Sequence, residues 1–140
     1  VLRQIGGTTQ NHIIRAAEES IAYQSADLMG AMEKDTGIKI KTLKVDGGAS
    51  ANNYLMQTMA DLSNVPVQRP SCVETTALGA AYLAGLAVGY WKSTDDVLQN
   101  WSVDRTFTPN ITPEERKKRV KGWNKAVRCA YHWAKDEEDE

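Results

Sequence analysis

The stretch from Lys44 to Gln57, KVDGGASANNYLMQ, joins a strand-like run to a helix-like one. Ile38, Ile40, Leu43 and Val45 lead into Asp46 and the adjacent Gly47 and Gly48, and a helical segment of about Ala51 to Leu62 follows. Two residues without a Cβ let the backbone turn sharply and lie against a flat ligand such as an adenine ring or a ribose phosphate. A helix that starts just beyond such a turn aims its first free N–H groups and its positive dipole end at phosphate oxygens. The same Gly-Gly also serves a plain strand-to-helix turn that needs one residue with positive φ, so taken alone it leaves both readings open.

Working outward, the periodicity predicts a first helix from about Asn11 to Lys34, with Ile14, Ile21 and Leu28 on an apolar stripe that Ala17, Met29 and Met32 widen, closed by Gly37. Lys39 to Asp46 is the first strand, Ala51 to Ser63 the second helix, and Val65 to Arg69 a short strand ended by Pro70. A third helix, about Thr75 to Val88, is rich in Ala and Gly. Its small residues suit close packing, either on the sheet or on another helix. Ser93 to Asn110 is polar and mixed and reads as a linker. Thr112, Pro113 and Glu115 then supply an N-cap, a proline at the first helical position and a capping-box glutamate. Val120, Trp123, Val127, Ala130 and Tyr131 share helical spacing, which predicts a final helix docked on the domain, and the acidic residues Asp136 to Glu140 read as a solvated tail.

This alternation gives an α/β fold with parallel strands joined by right-handed crossovers. Two strands make a poor sheet by themselves, and only Val1 to Ile5 is left to belong to any strand ahead of the first helix.

Composition narrows the class. A chain of 140 residues with 41% hydrophobic content suits one packed domain. A net charge of -1 carries no electrostatic footprint for nucleic acid or an anionic membrane. The apolar run from Leu78 to Trp91 is too short to span a bilayer and is interrupted by Gly79, Gly85 and Gly89, so it reads as a core helix. Val1 to Thr9 has neither the basic nor the apolar region of a signal peptide, and the expected location is cytoplasmic. Cys72 and Cys129 have no CxxC or His-paired spacing and read as free thiols. Neither His12 nor His132 has a second ligand at helical spacing, so no metal site is expected.

The run DGGASANNYLMQ, followed by VPVQRP and ETTALGAAYLAGLAVGYW, closely resembles the C-terminal nucleotide-binding domain of the FGGY carbohydrate kinases. The resemblance extends from HIIRAAEESIAYQ at His12 to KGWNKAVRCAYHW near the end. The Asn-Asn-Tyr-Leu-Met-Gln continuation and the GLAVGYW ending are similar to the glycerol kinases within that family. The resemblance implies the actin and hexokinase (ribonuclease H-like) ATPase fold in its C-terminal part, with a helical tail. It divides the chain into residues 1–91, a partial nucleotide-binding domain, and residues 92–140, a linker and helical extension.

The activity implied is transfer of the γ-phosphoryl group of ATP to glycerol, giving sn-glycerol 3-phosphate, with ATP and Mg²⁺ as cofactors. ATP or ADP and glycerol are the implied partners, and a homo-oligomer is open. Gly48 would touch the nucleotide through its backbone and Asn52 through its side-chain amide, with Gly47 supporting the turn. Helix N-capping is the plain alternative for Asn52. No catalytic residue is assigned, because the proton-accepting aspartate and the glycerol contacts of the family lie upstream of the matched region. Asp46 is expected to shape the turn by bonding nearby backbone N–H groups. The chain is therefore expected to be inactive without the missing upstream domain. Gly79, Ala80 and Ala81 would meet that domain's helix across a hinge. Two positions depart from the family pattern, Gly6 in place of an arginine and Glu18 in place of an apolar residue. Glu19, beside it, reads as part of a solvated face. Another polyol or sugar acceptor, or a nucleotide-binding module without catalysis, are the alternatives.

Overall fold

A computed structural model describes residues 5–99 and 102–131. The readings for Val1 to Gln4, His132 and the acidic tail lie outside the described residues.

Helix α1 spans Gln10–Thr36 and ends at Gly37, whose N–H donates to the Glu33 carbonyl. His12 Nδ1 accepts from the Thr9 N–H and ties down the start of the helix. Strand β1 is Leu43–Lys44, a 3-10 turn covers Gly48–Ala51, and helix α2 is Asn53–Ser63. Strand β2 is Val67–Pro70, and helices α3 and α4 are Thr75–Ala87 and Thr94–Leu98. Strand β3, Val103–Phe107, and helix α5, Pro113–Ala130, complete the order. The sheet runs β1-β2-β3, with β1 parallel and β3 antiparallel to β2.

Helix α2 sits at the centre. Leu55, Met56, Met59, Ala60 and Leu62 along it are buried with Ala22 of α1, Val67 of β2 and Phe107 of β3, and Val120 of α5 packs against them. Each of the large side chains contributes roughly 1.5–3 kcal/mol by leaving water. Helix α5 is tied on by Trp123, whose ring stacks on Tyr23 at 5.1 Å between centroids and whose indole N–H donates to Asp27 Oδ2 at 2.6 Å. Thr112 accepts from the Glu115 N–H as its sequence predicts.

Four readings are corrected. The first strand is not Lys39 to Asp46: only Leu43 and Lys44 pair, opposite Val67 and Gln68, and Ile40 donates its N–H to Glu33 instead. The stripe Ile14, Ile21 and Leu28 is exposed, as is Met32; of the residues expected to widen it Met29 is buried, and α1 meets the core through Ala22, whose small side chain lets it approach α2 closely, with Tyr23 and Ala26 beside it. Ser93 to Asn110 holds α4 and the strand β3, whose residues are exposed apart from Phe107 and so lack an apolar alternation. The sheet therefore has three strands.

Helix α3 has no buried residue, and Leu83 on it is 71% exposed. A Cβ added at Gly79 would find no atom within 4 Å, whereas one at Gly85 would come within 2.2 Å of the Trp91 ring. The absent side chain of Gly85 is what lets Trp91 fold back on α3, edge-on to Tyr82 and Tyr90.

Candidate nucleotide site

The turn quoted first stands where β1 leaves the sheet. Gly47 has φ of 77°, a conformation a side chain would strain, and its N–H donates to the Val73 carbonyl at 2.8 Å. Asp46 accepts from the Thr75 hydroxyl. That corrects its expected bond to nearby backbone N–H groups, and together the two contacts link the segment after β1 to the segment after β2. A cavity of about 250 Å³ lies there, lined by Lys44, Val45, Asp46, Pro70 and Thr75. It opens beyond the carboxyl ends of the two parallel strands, the edge where ligands gather in α/β sheets.

From Gly47 the chain enters the 3-10 turn. Ser50 is buried, with both its N–H and its hydroxyl donating to the Gly47 carbonyl. Gly48, Ala49 and Ala51 stay exposed, and a Cβ on Gly48 would meet nothing within 4 Å. The backbone surface over Gly48 is thus open to a ligand.

Asn52 closes the turn and caps α2: its Oδ1 accepts from the Leu55 N–H at 3.1 Å. Its Nδ2 donates to Glu18 Oε1 at 2.8 Å. The capping role is observed, and the departure at Glu18 acquires a partner.

Arg69 holds the turn from beneath. Its side chain is 13% exposed, with Nε and Nη2 on Asp104 Oδ2 at 2.9 and 2.7 Å. Nη1 donates to the Ser50 carbonyl at 3.0 Å, the Ala51 carbonyl at 3.2 Å and Asn53 Oδ1 at 3.0 Å. Sequence reasoning quoted Arg69 inside VPVQRP without giving it a role. An arginine at the end of a strand, beside a turn rich in free carbonyls, is the signal that was present.

Glu19 is not on a solvated face. It is half-buried between Arg15, at 2.8 Å, and the Tyr54 hydroxyl, which donates to the same oxygen. Burial pushes this carboxyl up, but the hydrogen bonds from Tyr54 and Arg15 outweigh it and hold the group below the ordinary carboxylate value. Tyr54 shifts the other way, through burial and through its bond to Glu19, and so keeps its proton.

The profile of the C-terminal domain of the FGGY family of carbohydrate kinases matches residues 3–88, which include the turn, Asn52 and α3. The chain belongs to this family. Among FGGY proteins it is 60% identical to a glycerol kinase of Agathobacter rectalis and 58% identical to one of Deinococcus radiodurans, each over 94% of its length. It spans about a quarter of either relative, 26%. The crystal structure of Plasmodium falciparum glycerol kinase with ADP superposes with a TM-score of 0.79 and 35% identity, over 92% of this chain and 26% of that one. A ligand-bound xylulose kinase from Lactobacillus acidophilus shares the fold, with a TM-score of 0.68 at 24% identity, over 93% of this chain and 27% of that one.

Proposed function

We propose that this chain is the ATP-binding portion of a glycerol kinase, moving the γ-phosphoryl group of ATP to glycerol to give sn-glycerol 3-phosphate once joined to the part that carries the acceptor site. The observation that carries the reading is the exposed Gly48 backbone, open above and held from below by Arg69, beyond the carboxyl ends of two parallel strands. Gly48 and Asn52 contact the nucleotide and Gly47 sets the turn. The identity to glycerol kinases supports glycerol over another polyol or a sugar. Among the described residues no three His, Cys, Asp or Glu side chains cluster to hold a metal ion. Mg²⁺ would come with the phosphates of ATP and spread their charge, and the carboxylate that accepts the glycerol proton would belong to the remainder of the kinase.

The exposed faces of α1 and α3 support the same reading. Ile14, Ile21, Leu28 and Leu83 offer apolar surface that no described residue covers, and the remainder of the kinase is its proposed occupant. We assign residues 1–91 to the family domain and 92–140 to an extension, although β3 and α5 of the extension pack on the common core. Among the described residues no helix is long and apolar enough to cross a membrane.

Calorimetric titration with MgATP tests the proposal. ATP should bind, and Gly48→Val should weaken it at least tenfold while the circular dichroism is unchanged, since the added side chain meets no protein atom. Equal affinity in the variant removes Gly48 from the site.

A further inference from the structure

Helix α3 does not start on a cap of its own. Asn52 caps α2 and Thr112 caps α5, each accepting from the backbone N–H three residues on. Glu74, before α3, makes no such bond, and the first turn of α3 holds no acidic residue. The group that meets this helix start comes from the end of β1 instead, where Asp46 accepts from the hydroxyl of Thr75, the first residue of α3. A carboxylate there faces the positive end of the helix dipole and stands in for the cap that the local sequence lacks.

The rest of α3 adds little hold within this chain. None of its residues is buried, and Val88, just past its end, is 82% exposed. Its 13 residues include Gly79 and Gly85, which lower helix preference, and a helix of that length is marginal without packing. The far end closes on itself, with the Tyr90 N–H on the Gly85 carbonyl at 2.8 Å. The near end is held twice by the turn: Gly47, next to Asp46, donates its N–H to the Val73 carbonyl at 2.8 Å. The residue after Gly47 is Gly48, so a shift of the turn moves the origin of a helix about 20 Å long. A tilt of roughly 10° at that origin displaces the far end by about 3 Å.

We propose that Asp46 is a positioning residue that caps and aims α3 from the turn, so that the order of this helix depends on what the Gly48 backbone holds. The inference rests on the nucleotide reading above and adds a coupling to it. Nucleotide over Gly48 restrains the turn, and a restrained Asp46 keeps its bond to Thr75 for more of the time. Helix α3 then presents a fixed face, Leu83 included, to the remainder of the kinase. By linkage, packing of that remainder on α3 tightens nucleotide binding by the same factor.

The test is amide hydrogen exchange, read by mass spectrometry on the intact kinase that carries this chain, with and without MgADP. In the wild type MgADP should slow exchange over the first two turns of α3 by at least about fivefold, the lower end of ordinary coupling between sites. Thr75→Val keeps the side-chain shape and loses the hydroxyl, and should reduce that response to within about twofold. Thr75→Ser restores the hydroxyl and should restore the response, a rescue that a purely structural role for the side chain would not give. Asp46→Ala should match Thr75→Val, and the double variant should be no worse than either, because all three lack one and the same bond. MgADP binding that leaves α3 exchange unchanged in the wild type, which needs no variant to fold, overturns the role of Asp46 and leaves the nucleotide site standing. A full response in Thr75→Val does the same. Failure of the kinase to bind MgADP overturns both.

Discussion

Arg69 and Asp104 meet across the antiparallel pair β2 and β3, with two guanidinium nitrogens on one carboxylate oxygen. Asp104 aims the guanidinium, and its remaining nitrogen gathers the carbonyls of Ser50 and Ala51. The strand that sequence reading took for a linker therefore supports the turn that sequence reading singled out. Arg69→Met should cost about 1–3 kcal/mol in urea unfolding, since it leaves Asp104 and two carbonyls without their donor. It should also weaken ATP binding. Arg69→Lys should not restore either property, because an ammonium cannot span carboxylate and carbonyls at once. Asp104 is 48% exposed, so a double-mutant cycle on the pair should return a coupling below about 1 kcal/mol. A larger value would mean the pair is screened less than its exposure implies.

Asn52 does two jobs that a single alanine would confuse. Asn52→Ala removes the cap of α2 and should lower stability by about 1 kcal/mol, whereas Asn52→Ser keeps a capping oxygen and should recover most of it. Both lose the amide N–H. Nucleotide affinity that falls equally in the two variants, while only the alanine form melts lower, separates ligand contact from capping.

Gly47 and Gly48 should answer oppositely to alanine. At Gly47 the positive φ makes Gly47→Ala cost about 1–2 kcal/mol, although no atom blocks the methyl. Gly48→Ala should leave the melting temperature within a degree or two of wild type. Equal losses at both positions would show that the turn is stressed as a whole.

The Glu19 carboxyl is held below its unfolded value, so its contribution is complete above the ordinary carboxylate range and is lost as pH falls through the lowered value. Stability should therefore drop as pH falls through and below the ordinary carboxylate range. Tyr54→Phe removes one of the two bonds that lower it and should shallow that drop. A pH profile identical to wild type would assign the acid sensitivity to other carboxylates.

Trp123 joins α5 to α1 by stacking on Tyr23 and bonding Asp27. Trp123→Ala should speed amide exchange along α5 and cost roughly 1–3 kcal/mol, with ATP affinity unchanged. A change in affinity would mean that α5 reaches the site through α1.

Local chemistry determined much of this protein. The Gly-Gly turn, Gly37 at the end of α1, the Thr112 and Pro113 start of α5 and the parallel pairing of β1 with β2 follow from backbone preference and short-range periodicity, and the quoted motifs carried the family. Contacts between residues far apart in the chain were beyond that reach. β3 is exposed except at Phe107, so only its pairing with β2 identifies it as a strand. The face α1 buries depends on how closely α2 can approach, and apolar count favoured Ile14, Ile21 and Leu28 over Ala22, with Met29 alone of the expected stripe buried. Arg69 and Glu18 gain their parts from Asp104 and Asn52, 35 and 34 residues away, because the direction of a side chain is settled by what the folded chain brings within hydrogen-bond distance.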